Sequence, residues 1–99
     1  MEELRQVLRE FAKAQVKYQD YGASDSEPHW KFKAVLASAI EGKNVRVPSD
    51  GCAWELYSAS MDCSEAAKVL TEIANKAVNL IQNTPMKDIN KVREIVLGW

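Results

Sequence analysis

The sequence predicts an α+β fold, mainly helical, in the order α-α-β-β-α-α, with one antiparallel β-hairpin packed on the helices. Three observations lead there. On either side of residues 42–62, apolar side chains recur at the spacing of helices. Within that stretch the period drops to two, in Val45-Arg46-Val47 and again in Cys52-Ala53-Trp54-Glu55-Leu56-Tyr57. Between the two alternating runs stands Pro48-Ser49-Asp50-Gly51, a string of turn formers.

The first helix is expected from about Glu2 to Gln19. Leu4, Val7, Leu8, Phe11, Ala14 or Gln15, and Tyr18 form its apolar stripe. Glu2 and Glu3 put negative charge in the first turn, where it suits the positive end of the helix dipole. Asp20 to Ser26 has no periodicity and several turn formers, so it reads as a loop. The second helix is expected from about Ser26 to Glu41, with Ser24 or Ser26 as N-cap and Pro28 in its first turn. Its body, Ala34 to Ile40, is apolar nearly all round, which predicts cover on more than one side. Gly42 stops it as a left-handed residue.

In the hairpin, Val45 and Val47 share one face of the first strand, and Cys52, Trp54 and Leu56 share one face of the second. A lone two-stranded hairpin is marginal in water, so its Trp54/Leu56 face is expected against the helices. The third helix is expected to start at Asp62, with Glu65 as its capping-box partner. It turns Ala66, Val69, Leu70, Ile73, Ala77, Leu80 and Ile81 inward and Glu65, Lys68, Glu72, Lys76, Asn79 and Asn83 outward. Asn83-Thr84-Pro85 reads as a stop and restart, with Thr84 capping. The last helix uses Met86, Ile89, Val92, Val96 and Trp99.

Composition narrows the function classes. The 99 residues are expected to form a single domain, 1–99, and 46% of them are hydrophobic. With 13 basic and 14 acidic side chains, net charge argues for neither nucleic acid nor membrane. No apolar run approaches a membrane span, and two cysteines do not make a disulfide scaffold, so a cytoplasmic protein with reduced thiols is expected. If residues 52–57 are extended, Cys52 and Cys63 stand on the order of 20 Å apart, too far to bridge.

No catalytic constellation emerges from the sequence. The lone His29 has no nucleophile motif beside it, and one histidine with two scattered cysteines lacks the spacing of a zinc site. No catalytic residue, no metal and no cofactor is therefore expected. Arg5, Arg9, Lys13 and Lys17 are spaced by four and form a basic ridge that could track phosphates. Glu2, Glu3 and Glu10 dilute it, and residues 1–50 hold eight basic and eight acidic side chains.

The stretch from Tyr18 to Trp30 carries the strongest signal of a surface. Tyr18, Tyr21 and Trp30 offer contact area at low entropic cost, with Asp20, Asp25, Glu27 and His29 around them. The carboxylates would suit a basic protein partner. The competing reading makes Tyr18 and Trp30 core residues beneath a polar loop. The sequence thus points to a small non-enzymatic interaction protein: a regulator, inhibitor or immunity-type partner. Its expected contact residues are Tyr18, Asp20, Tyr21, Asp25, Glu27, His29 and Trp30, and a homodimer is compatible with it. The alternative is a nucleic-acid-binding accessory protein using Arg5, Arg9, Lys13 and Lys17.

Overall fold

A computed structural model describes residues 2–17, 27–49, 53–54 and 64–99. Its elements are α1 (Glu2–Lys17), α2 (Glu27–Ile40), α3 (Ser64–Gln82), a 3-10 turn (Met86–Asp88) and α4 (Ile89–Leu97). There is no strand among the described residues, so the fold is all-α and the expected α+β hairpin is overturned. Lys43–Ser49 runs without regular structure, and Ala53 and Trp54 lie in a turn. Cys52, Leu56, Tyr57 and Cys63 fall outside the described residues.

Side-chain hydrogen bonds to α3 take the place of the expected ladder. The Thr71 hydroxyl donates to the Pro48 carbonyl at 2.6 Å, and the Trp54 indole Nε1 donates to the Thr71 oxygen at 3.1 Å. Val45 and Val47 are half-buried against the core while Arg46 is exposed. The alternation of burial is real, and it belongs to an irregular strap packed against the core. Period two requires only extended backbone; a sheet needs a second strand in register as well.

The helices follow their apolar patterns. On α1, Leu4, Val7, Leu8 and Phe11 are buried, with Ala14 at the rim. On α2, Phe32, Val35, Leu36 and Ala39 are buried, whereas Ala34 and Ala37 face solvent. So α2 is covered on more than one side, by α3, α4 and α1, and its remaining exposed face carries the small residues Ala34 and Ala37. Its end is a Schellman motif, with the Lys43 amide on the Ser38 carbonyl at 3.1 Å and the Gly42 amide on Ala39 at 3.2 Å. Gly42 has φ of 72°, the left-handed conformation that this motif requires.

The central element is α3, which packs on both α1 and α2, while α4 packs on α2. Ala66, Ala67, Leu70, Ala74, Ala77, Val78 and Ile81 are its buried face. The expected wet face holds for Glu65, Lys68, Glu72, Lys76, Asn79 and Asn83. The inward face is turned slightly from expectation, leaving Val69, Ile73 and Leu80 at the rim. Thr84 does not cap the helix that follows; its hydroxyl donates back to the Leu80 carbonyl at 2.7 Å and closes α3. Met86, expected inside, is 84% exposed on the 3-10 turn, and Val92 and Val96 bury α4 instead. None of the described helices is long and apolar enough to cross a membrane.

Candidate functional site

The site begins in the core. Phe11 of α1 and Phe32 of α2 stack with ring centroids 3.9 Å apart and planes 14° from parallel. Trp54 lies beside Phe11 at 5.6 Å. Trp99, just beyond α4, stands nearly perpendicular to both phenylalanines, 5.2 Å from Phe32 and 6.0 Å from Phe11. This aromatic group joins α1, α2 and the end of α4.

Helical phase carries the group to the surface. His29, Phe32 and Leu36 are spaced by three and four, so they share one face of α2. His29 is the outermost of the three and stacks on Trp99 at 4.3 Å, with planes 26° apart. Trp30 is one step further round the helix, 61% exposed, with its ring edge-on to His29 at 5.8 Å. Lys33, a turn along, holds its ammonium 5.6 Å from the Trp30 ring centroid, in cation–π range. Partial burial and the Lys33 charge both push the His29 pKa below its usual value, burial being the larger cause.

Trp99 also forms one end of an open groove of about 700 Å³ between α1 and α4. Leu8 and Ile95 supply its apolar surface, and Arg5, Arg9 and Lys91 supply positive charge, with Glu94 as the opposing carboxylate. Arg9 donates through Nη2 to Glu2 at 2.8 Å and to Gln6 at 2.9 Å, and Arg5 lies 4.0 Å from the same Glu2. The Arg9 hydrogen bond, more than its charge alone, holds the Glu2 carboxyl below its ordinary range. On the other flank of α1 a smaller groove of about 420 Å³ is acidic, with Glu2, Glu3 and Glu10 around Val7 and Leu80. Lys76 of α3 reaches Glu10 there at 3.7 Å.

The structure therefore brings His29 and Trp30 together with Lys33 and Trp99, which the sequence reading had not joined to them. Trp30 is 61% exposed, which removes the competing reading of it as a core residue. Tyr18, Asp20, Tyr21 and Asp25 lie outside the described residues; Glu27 begins α2, and its side chain is outside them too. Of the basic ridge, Arg5 and Arg9 line the larger groove, Lys13 is exposed and does not line it, and the Lys17 side chain is outside the described residues. Lys91 and Trp99 were missed as site residues. Their signal was present, since Lys91, Ile95 and Trp99 are spaced by four, as are Arg5 and Arg9 around Leu8.

Among the described residues no charged or polar side chain is buried, and no cluster of His, Cys, Asp or Glu could hold a metal. No protein-family model matches the chain, and neither a curated protein nor a solved structure matches it.

Proposed function

We propose that this chain is a small non-enzymatic interaction protein of the cytoplasm whose contact surface centres on His29, Trp30 and Trp99. The observation that carries the reading is Trp30, a full indole ring 61% exposed on a helix. Such a ring contributes little to folding where it stands, yet it offers a large, rigid area to a partner. Tryptophan is enriched among the residues that dominate binding energy. The His29–Trp99 stack beside it supplies a second ordered ring surface, and Lys33 a charge above the indole. Tyr18, Asp20, Tyr21, Asp25 and Glu27 precede this surface in sequence and, in this proposal, extend it.

The test separates contact from folding. A photo-reactive phenylalanine at position 30 should crosslink one discrete protein in cells, while the same group at Lys68, on the wet face of α3, should not. With that protein purified, Trp30→Ala should change unfolding stability by no more than about 0.5 kcal/mol. The same change should weaken binding by at least 1–2 kcal/mol, roughly the range of a hot spot. Equal crosslinking at both positions, or a Trp30→Ala variant that binds as well as the parent, would overturn the reading.

A further inference from the structure

We infer that the groove between α1 and α4 is a binding site for an acidic amphipathic helix. The inference deepens the proposal above, since Trp99 borders both surfaces, but it stands on different residues. The chain is close to neutral overall, with a net charge of −1. The groove departs from that balance: Arg5, Arg9 and Lys91 face one another across it, and among the described residues Glu94 is the only acidic side chain that lines it. Lys91 makes no ion pair among the described residues. The two arginines share Glu2 in contacts whose side chains are 54–74% exposed, so these contacts exchange readily for other carboxylates.

Spacing selects the shape of the ligand. Arg5 and Arg9 stand four residues apart on a helix, about 6 Å along its axis. Carboxylates at i and i+4 of a second helix have the same repeat, so each can meet one guanidinium. An aliphatic residue between them then lies on Ile95, which is partly exposed, with the buried Leu8 beneath as the groove floor. This is the helix-in-groove mode, with charge complementarity along the rims setting direction.

A nucleic-acid strand fits the same groove less well. A base needs an open ring face to stack on, and one face of Trp99 already carries the His29 imidazole. Lys13, which would lengthen a phosphate track, does not line the groove, and Glu94 does.

The experiment titrates the isotope-labelled full chain with a synthetic peptide of about four helical turns, with Glu and Leu on one face. Its comparators carry Gln or Lys in place of Glu, and an oligothymidylate of similar length is the nucleic-acid probe. The Glu peptide should shift the backbone amides of Leu8, Lys91, Ile95 and Gly98. Its affinity should fall about tenfold or more with Gln in place of Glu, and likewise in an Arg5→Gln/Lys91→Gln variant. Lys13→Gln should bind as the parent does. All three positions are exposed, so thermal midpoints should match and exclude misfolding. No binding of the Glu peptide, equal binding of the Lys peptide, or shifts confined to other faces would overturn the inference. Tighter binding of the oligothymidylate, lost in the same double variant, would overturn it in favour of a nucleic-acid site. Crosslinks at position 30 that survive without peptide binding would count against this groove alone. Peptide binding without such crosslinks would count against the aromatic surface alone.

Discussion

Thr71 holds two separate stretches of chain against α3 with one hydroxyl. It donates to Pro48 and accepts from Trp54, so a single oxygen satisfies a half-buried carbonyl and the polar edge of a fully buried indole. A buried tryptophan needs such a partner for its N–H. Replacing Thr71 by Val keeps the shape and removes both bonds. We expect Thr71→Val to cost about 1–3 kcal/mol in urea unfolding, the penalty of leaving buried polar groups unpaired, and Thr71→Ser to recover most of it. A Thr71→Val variant as stable as the parent would show that the two hydrogen bonds add nothing net to stability. The sequence placed Trp54 in the core correctly, since an indole amid Val, Leu and Tyr has few other places to go. It did not single out Thr71, because a threonine at the edge of an apolar stripe is ordinary until the segment it holds is known. For Trp30 the sequence left a contact and a core reading open, and helical phase decides between them: His29, Phe32 and Leu36 occupy the inward face, which leaves Trp30 outside.

The helices were legible because their signals are local. Each has a period, a charge bias or a stop residue within its own turn, and each appears within a few residues of its expected bounds. The hairpin was not legible in the same way, because strand pairing depends on a partner that no local pattern reveals. Alternation at Val45-Arg46-Val47 matched the alternating burial there and said nothing about what the backbone bonds to. The small rotation of α3 has a similar origin. Val69, Ile73 and Leu80 were expected inward with Ala66 and Ala77, yet α3 packs on two helices, and the seam facing them is lined largely by Ala66, Ala67, Ala74 and Ala77. Small residues let helix axes approach closely, so they take the deepest positions and Ile73 and Leu80 close the rims. Hydrogen exchange tests the strap directly. The Lys43 amide, bonded to Ser38, should be protected by the Schellman motif, whereas Val45, Arg46 and Val47 have no backbone partners among the described residues and should exchange at close to unfolded rates. Alternating protection through 45–47 would restore the ladder and with it the strand.

At the scale of the whole molecule, the aromatic group works as a joint. Phe11, Phe32, Trp99 and His29 connect α1, α2 and the end of α4, and His29 is the one member that can acquire charge. Its neutral form is favoured in the folded state, because partial burial and the Lys33 ammonium both oppose protonation. An ordinary imidazole titrates near 6.5, and the folded value lies lower. Between the two, the unfolded chain binds more protons than the folded one, so unfolding becomes easier as pH falls. The stability contribution is fully present above the unfolded pKa, declines as pH drops through the folded pKa, and is constant below it. Glu2 and Glu41, whose folded values are lowered, act in the same direction but only below the ordinary carboxylate range near 4.5. The two effects therefore separate on the pH axis. We expect urea midpoints to fall as pH is lowered from the neutral range to just above that carboxylate range. His29→Phe, which retains a ring to stack on Trp99 and cannot be protonated, should abolish most of this fall. An equal fall in the variant would place the pH dependence elsewhere and show that the His29–Trp99 stack accepts a proton without loss. A flat profile in the parent would show that the histidine is as well hydrated folded as unfolded, and that the joint does not depend on its charge state.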